Sequence, residues 1–283
     1  MRLGVLHRTR YVYGTAVKES FNEARLAPFS ADGQKCESFL LKILPTGKLR
    51  HYFDFFRNTV HFFEVAESHS TLIVEAQSEV VTTASQVLPP HTATTPLIEL
   101  DDCKRLSQCY DYLQPSPSVD VSPEVWRLAL DVAAGQTDAW AAALALTEFV
   151  HREFRYDPNS TSVTTHMREV LRARQGVCQD FAHVLIGLGR ALKIPTRYAS
   201  GYLYNGPAET LRGAQASHAW VEVFLPGIGW RGLDPTNNRQ PDEHYIKIAH
   251  GRDYGDALPL RGHYRGAPAQ TLTVEVKVER LDG

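Results

Sequence analysis

Residues 174–181 read RQGVCQDF, and this stretch decides how the rest of the chain is interpreted. A run with helical periodicity begins at Cys178, so this residue stands where a loop passes into a helix. The N-terminus of a helix carries unpaired backbone N–H groups and the positive end of the helix dipole. Both favour a thiolate, which is the reactive form of cysteine. The position of Cys178 therefore predicts a nucleophile.

Two downstream residues can supply the base and the acid that such a thiol needs. His218 directly precedes a strand-like run at 219–224, and Asp234 directly follows another at 229–233. A Pro-Gly pair between the two runs predicts a tight turn and hence a hairpin. Antiparallel pairing brings the start of one strand beside the end of the other. We therefore predict a catalytic triad of Cys178, His218 and Asp234.

Length, composition and charge restrict the kinds of protein that this chain can be. The chain has 283 residues, of which 43% are hydrophobic and 22% charged, so two globular domains are the default expectation. The net charge of −2 gives no electrostatic reason to expect nucleic acid or an anionic membrane as a partner. The first residues lack the apolar run of a signal peptide, and we expect a cytoplasmic protein. Nothing in the sequence indicates an oligomeric state.

The pattern of residues changes twice along the chain, and we predict an α+β protein from it. Short alternating runs over residues 1–85 predict an antiparallel β-sandwich. Residues 86–121 are rich in proline and read as a linker, with one short helix around 102–112. Residues 122–283 predict a core of helices packed on an antiparallel sheet.

The sequence does not favour a metal or cofactor site. The remaining cysteines lack zinc-type spacing and are expected to be free structural thiols: Cys36, Cys103 and Cys109. A metal site made from Cys178, His183 and His218 is an alternative, but zinc ligands normally include closer pairs. No acidic calcium-binding loop is found either. We predict no metal and no cofactor.

Four motifs, in order, resemble the core of the transglutaminase-like cysteine-enzyme superfamily: 175–182, 197–202, 218–222 and 234–236. The sequence is most similar to a bacterial branch whose members are described as candidate cysteine proteases. Residues 1 to about 82 resemble the β-rich N-terminal domain that accompanies this branch. One position departs from the family's Asp-x-x-Gly-Asn turn, because Arg57 replaces the glycine, which requires a strained or non-glycine turn.

The resemblance implies a papain-like fold and acyl transfer from an amide or peptide through a cysteine thioester. Hydrolysis is favoured, and protein-glutamine cross-linking is the alternative, because both reactions share the thioester and differ in the acceptor. A third hypothesis is a non-catalytic binding or assembly module that keeps the fold. An activity-based thiol probe separates that hypothesis from an enzyme.

Further residues are candidates for the substrate or oxyanion site. The backbone N–H of Cys178 is one oxyanion donor, and the second is expected in or near 154–156. Gln175 is a candidate for shaping this site, or a loop residue without a role. Trp220 is predicted to shield the imidazole, with plain core packing as the alternative. Tyr156 and Tyr202 are predicted either to line the substrate cleft or to pack against it.

Overall fold

The structure is a computed structural model and describes residues 1–31, 33–84, 87–206, 211–213, 217–266 and 269–281. These residues form the α+β fold predicted from the sequence, with a seven-stranded sheet, a four-stranded sheet and a set of helices. In the described part of the chain, no helix has the length and apolar character needed to cross a membrane.

The described strands are β1 (Arg2–Ala24), β2 (Gln34–Leu44), β3 (Lys48–Phe53), β4 (Thr59–Val65), β5 (His69–Thr82), β6 (Arg155–Tyr156), β7 (Gln175–Gly176), β8 (Thr196–Leu203), β9 (His218–Leu225), β10 (Gly229–Leu233), β11 (Tyr245–Gly251), β12 (Leu260–Arg265) and β13 (Gln270–Arg280). The described α-helices are α1 (Ser107–Tyr110), α2 (Pro123–Val132), α3 (Ala139–Glu153), α4 (Met167–Ala173) and α5 (Cys178–Ala191).

The long strand β1 organises the N-terminal sandwich by taking part in two groups of strands. Its first half, from Leu3 to Tyr13, pairs with β13 along its whole length and with β5 as far as Val12. Its last residues pair with β4 and β12. The rings of Phe39 in β2 and His61 in β4 lie 5.1 Å apart, so the two groups are in contact. Strand β1 thus joins both layers of the predicted sandwich.

The C-terminal strands differ from the predicted division of the chain. The sequence predicts that the whole of 122–283 belongs to the core, whereas β12 and β13 pair with β1 in the N-terminal sheet. The alternation in β13 predicted a strand correctly but carried no information about its partner. The register of β13 on β1, a strand more than 250 residues earlier in the chain, is set by packing in the folded protein. The alternation of residues within β13 does not reveal it.

The proline-rich segment contains more helical structure than the one helix predicted around 102–112. A 3₁₀ helix spans Leu97–Arg105, and α1 follows it, with a further 3₁₀ turn at Asp111–Leu113. Within this segment, Leu100, Cys103 and Cys109 are buried.

Helix α5 is the central element of the core, as its small residues predict. Its partners are α2, α3, α4 and the four-stranded sheet, whose strand order is β10-β9-β8-β11. A Cβ atom on Gly189 would lie 2.5 Å from Thr196 Oγ1, so glycine is required where β8 begins beside the helix. Close packing of α5 on the sheet fixes the direction in which its first residue points.

Strand β9 separates two chemically different sides of the sheet. All eight of its residues are buried. Ala219, Val221 and Val223 belong to the main apolar core, which includes α5. His218, Trp220 and Glu222 alternate with them and face the other side, where Trp220 packs in a smaller cluster with Tyr245.

The turn before β4 has the unusual backbone that the sequence predicted. Arg57 has a φ of +66°, in the left-handed region that glycine adopts at least cost. Asp54 Oδ1 accepts hydrogen bonds from the backbone of Phe56 and Asn58. Asn58 in turn bonds the backbone N–H and C=O of His250 in β11, at 2.9 and 2.8 Å. The turn therefore fixes the N-terminal domain to the core.

Candidate active site

Cys178 is the first residue of α5 and is half-buried. The loop before it is held by Asp180, whose Oδ2 accepts a hydrogen bond from Val177 N at 2.8 Å. The same oxygen accepts one from Thr161 Oγ1 at 2.6 Å. A Cβ on Gly176 would lie 2.7 Å from the side chain of Asp180, so this position requires glycine. These contacts place the sulfur at the end of the helix where an anion is stabilised.

His218 and Asp234 form a buried pair on the β9–β10 hairpin. The register pairs Val221 with Leu233, which brings the start of β9 beside the residue that follows β10. His218 Nε2 donates to Asp234 Oδ2 at 2.8 Å, and both side chains are 0% exposed. The predicted adjacency of these two residues in a hairpin is thus what the structure contains.

Asp234 is surrounded by hydrogen-bond donors. Besides His218, its Oδ2 accepts from Tyr245 Oη at 2.7 Å and from Asn237 Nδ2 at 2.8 Å. Its Oδ1 accepts from the backbone N–H of Thr236 at 2.8 Å. The backbone N–H of Asn237 also donates to Oδ1, at 3.3 Å. These five hydrogen bonds replace the water that a buried carboxylate loses and hold it in one orientation.

The electrostatics of the pair favour an ionised Asp234 carboxylate and a protonated His218 imidazole. Burial acts to raise the pKa of Asp234, but the charge and hydrogen bond of His218, followed by Tyr245 and Asn237, lower it below its ordinary value. Burial acts to lower the pKa of His218, but Asp234 and, less strongly, the Cys178 thiol raise it to about 10. Asp234 therefore stabilises an imidazolium.

The structure brings the Cys178 thiol near the imidazole of His218. His218 Nδ1 is buried and has no hydrogen-bond partner in the described part of the chain. The Cys178 thiol is nevertheless close enough to act on the pKa of His218. Sulfur, imidazole and carboxylate therefore occur in the order that a triad requires. Their roles in catalysis stay predictions.

Tyr156 and Gln175 occupy the short β6–β7 pair next to the nucleophile. Burial raises the pKa of Tyr156 to about 12, and the Cys178 thiol adds to the effect. Tyr156 also packs edge-on against Phe181, at 6.2 Å between ring centroids. Gln175 Oε1 accepts from Arg155 Nη2 at 2.6 Å on the exposed edge of the pair. Tyr156 is therefore beside the sulfur, whereas the side chain of Gln175 is engaged elsewhere.

The two remaining candidates differ in position. Trp220 is buried, and its ring lies nearly parallel to His218 at 6.4 Å between centroids. This placement agrees with the predicted shielding of the imidazole. Tyr202 is only 1% exposed, and its hydroxyl is hydrogen-bonded to His7 Nδ1 of β1 at 3.0 Å. Tyr202 therefore packs beneath the N-terminal domain instead of lining a cleft.

Two partners of Asp234 were missed by the sequence analysis. Asn237 lies three residues after Asp234, in the turn that follows β10. Asparagine in such a turn often bonds nearby groups, and this was the signal that could have predicted its contact with Asp234. Tyr245 begins β11, which pairs with β8 and not with the hairpin that carries Asp234. No local pattern connects that tyrosine to the site.

The alternative metal site is not supported by the geometry of His183. Its Nε2 accepts the backbone N–H of Tyr254 at 3.1 Å, which uses the lone pair that a metal would need. Burial lowers the pKa of His183 to about 4, against the opposing charge of Asp253. Among the described residues, one set of three side chains has metal-like spacing, Asp242, Glu243 and His244, and it does not include Cys178.

A cavity of about 350 Å³ lies on the polar side of the sheet, against the N-terminal domain. Trp220 and Tyr245 line it, and these are the side chains that contact His218 and Asp234 from behind. Cys178 does not line it. The cavity is therefore separate from the nucleophile.

Comparison with known protein families and structures agrees with this geometry. Residues 127–235 match the transglutaminase-like superfamily, and residues 3–81 match the bacterial transglutaminase-like N-terminal region. An uncharacterized protein of Mycobacterium leprae is 33% identical, with 99% of each chain covered. A protein-glutamine gamma-glutamyltransferase of Pseudomonas aeruginosa is 34% identical over 48% of this chain and 22% of its own length.

A solved structure described as a candidate cysteine protease from Cytophaga hutchinsonii shares the fold. It superimposes with a TM-score of 0.82 and 23% identity, covering 100% of this chain and 91% of that one. The match extends over both the sandwich and the core. The chain belongs to the transglutaminase-like superfamily.

Proposed function

We propose that this protein is a thiol-dependent acyl-transfer enzyme that hydrolyses amide or peptide bonds. The observation that carries the proposal is the buried His218–Asp234 pair, whose imidazole keeps one nitrogen without a partner in the described part of the chain and lies near the half-buried Cys178 thiol. A nucleophile, a base and an orienting carboxylate in this order are the requirements of cysteine acyl transfer.

The reaction follows from the positions of these groups. His218 Nδ1 takes the proton of the Cys178 thiol, and the sulfur attacks the carbonyl carbon of the substrate. The backbone N–H of Cys178, at the start of α5, donates to the oxyanion. The imidazolium then protonates the departing amine, leaving a thioester. Water attacks the thioester and gives its proton to His218, and the acid product leaves.

Asp234 stays ionised throughout this cycle. It accepts the Nε2 proton of His218, which fixes the tautomer with Nδ1 toward the sulfur, and its charge stabilises the imidazolium. Trp220, stacked near the ring, keeps bulk water from competing for that hydrogen bond.

Protein-glutamine cross-linking is the second candidate, since the Pseudomonas aeruginosa relative is described as a glutamyltransferase. An amine instead of water would then resolve the thioester. Hydrolysis is favoured because water at ~55 M reaches an open site unless a tunnel excludes it. A cytoplasmic location stays part of the proposal, and cell fractionation tests it.

A substrate screen with and without an amine acceptor tests the proposal. Wild-type protein is incubated with quenched peptide and amide substrates, and separately with a glutamine-containing protein and a fluorescent primary amine. We expect cleavage that disappears in Cys178→Ala and persists in Cys36→Ala, because Cys36 lies in β2, outside the site. Amine incorporation without cleavage would establish the transferase. Activity that survives Cys178→Ala would contradict the nucleophile assignment.

A further inference from the structure

A short segment before β9 lies directly on the catalytic imidazole. Gly213 has a φ of +85°, and a Cβ atom on it would lie 2.5 Å from His218 Nδ1 and 3.1 Å from Cε1. The backbone of Gly213 therefore packs against the ring nitrogen that is not bonded to Asp234. Only glycine permits both this backbone conformation and this close approach.

Asn237 attaches this segment to the buried carboxylate. Its Oδ1 accepts from Arg212 N at 2.9 Å, and its Nδ2 donates to Arg212 O at 3.2 Å. The same Nδ2 donates to Asp234 Oδ2 at 2.8 Å. Leu211 is held by Asn205 through two further hydrogen bonds, at 2.8 and 3.1 Å. The backbone of Leu211–Gly213 is thus fixed relative to the His218–Asp234 pair.

This arrangement holds the exposed side chain of Arg212 at the rim of the site. Burial raises the pKa of the Tyr156 hydroxyl, the Cys178 thiol adds to this rise and the charge of Arg212 opposes it, so both groups lie near this tyrosine. No ion pair is formed by the Arg212 guanidinium among the residues that the structure describes. The other arginine nearby, Arg155, already pairs with Asp157 at 3.3 Å. Among the described residues, the rim therefore carries a positive charge for which no paired carboxylate is found.

We propose that Arg212 selects acyl donors that carry a carboxylate close to the scissile amide, such as acidic peptides. The backbone hydrogen bonds fix where the side chain of Arg212 starts, and its guanidinium offers a planar fork that matches a carboxylate. The proposal rests on the proposed function, because it concerns substrates of the same nucleophile.

A pair of thiol reagents tests the charge at the rim without a known substrate. Iodoacetate is anionic and iodoacetamide is neutral, and both alkylate a thiolate with loss of iodide. The rate of each reaction at Cys178 is followed by mass spectrometry of the peptide that contains it. Dividing the ratio of the two rates by the same ratio for glutathione removes the intrinsic difference between the reagents.

Three variants isolate the contribution of Arg212. We expect Arg212→Gln to lower the normalised iodoacetate-to-iodoacetamide ratio by about threefold to tenfold, and Arg212→Glu to lower it further. Added salt should weaken the effect because the residue is exposed. Arg152→Gln, which removes an exposed arginine of α3, should leave the ratio unchanged. A ratio that is equal in wild type, Arg212→Gln and Arg212→Glu would overturn the proposal.

Peptide turnover gives a second readout. Matched libraries with glutamate, glutamine or lysine beside the scissile bond should show highest kcat/KM for glutamate, and Arg212→Glu should move the preference to lysine. Rapid alkylation of Cys178 with no charge preference would reject the role of Arg212 alone. Slow alkylation of Cys178, with no turnover of any library, would reject the proposed function.

Discussion

The two faces of the four-stranded sheet differ in chemistry although both are buried. On one face, Val221 and Val223 of β9 pack with α5 in a continuous apolar core. On the other, Glu222 lies between Arg197 and Lys247, at 2.7 and 2.9 Å, and Arg197 stacks 4.0 Å above Trp230. The apolar face positions the helix that carries the nucleophile, and the polar face positions the base.

This difference indicates that the stability of the fold and the reactivity of the site depend on separable sets of residues. Apolar burial contributes free energy in proportion to area and requires no orientation. Buried charges cost desolvation and are kept where each has partners in fixed positions. Substitutions on the polar face near His218 should therefore change turnover, and substitutions on the apolar face should change the free energy of unfolding.

The largest effect is expected for Asp234→Asn. The amide cannot accept the same hydrogen bonds from His218, Tyr245 and Asn237, so the tautomer of His218 is lost. We expect turnover to fall by about 10³–10⁴-fold, measured as kcat/KM on the substrate found by screening. Asp242→Asn, which changes a carboxylate outside the His218 network, is the control. Equal losses in both variants would remove the distinction between the network and its surroundings.

Glu222→Gln should strongly destabilise the fold, because it removes the buried carboxylate that pairs with Arg197 and Lys247. We expect a loss of about 3–5 kcal/mol in the free energy of unfolding, measured with urea. Arg197 and Lys247 lower the pKa of Glu222 below its ordinary 4.5, against burial, so its contribution is present above that pH and is lost as pH falls. The difference between wild type and variant should therefore shrink in acid.

A matched control separates this buried cluster from ordinary surface pairs. Glu148→Gln removes the partner of Arg152 in a pair whose side chains are 58% and 67% exposed. Its effect should stay below about 1 kcal/mol. A similar small effect for Glu222→Gln would show that the polar face is hydrated and not dry.

Leu185→Ala tests the apolar face directly. Leu185 lies in α5 and is 1% exposed, and its truncation leaves a cavity beneath the sheet. We expect a loss of about 2–5 kcal/mol in the free energy of unfolding. Leu130→Ala, at an exposed position of α2, is the control and should change stability little. If the folded variant lost kcat/KM as severely as Asp234→Asn, the two faces would not be separable.

Tyr245→Phe should give the smallest of these effects. It removes one of the donors to Asp234 and keeps the ring that packs against Trp220. We expect a fall in kcat/KM of about tenfold, because a hydrogen bond to a charged group is worth about 1.5–3 kcal/mol and other donors remain. Tyr110→Phe on the surface should leave turnover unchanged. An unchanged rate in Tyr245→Phe would mean that the other donors orient the carboxylate without Tyr245.

The core was largely predictable because its signals are local. The start of α5 at Cys178, the β9–β10 hairpin and the proximity of His218 to Asp234 all follow from periodicity and turn residues within 60 positions. The left-handed conformation of Arg57 was predictable from a single departure from a family motif. In each case the residues that decide the structure are neighbours in sequence.

What escaped prediction depends on contacts between distant segments. The pairing of β13 with β1 and the burial of Tyr202 against His7 join parts of the chain that meet only in the folded state. The hydrogen bond from Tyr245 to Asp234 joins residues close in sequence, but it depends on where β11 lies in the sheet, which no turn or periodicity specifies. Alternating apolar and polar residues along a strand predict which side chains are buried, but they do not predict which residues pack against them. The sequence therefore leaves open whether Tyr202 lines a cleft or packs against it, and in the structure it is buried against His7.

The most direct test of the account is the rate at which Cys178 is alkylated by iodoacetamide at neutral pH in wild type and in His218→Gln. Burial raises the pKa of Cys36, so this thiol serves as a slow internal reference in the same sample. The account predicts that Cys178 reacts at least about tenfold faster than Cys36 and that His218→Gln removes most of this advantage. A rate at Cys178 that matches Cys36, or one that His218→Gln leaves unchanged, would contradict it.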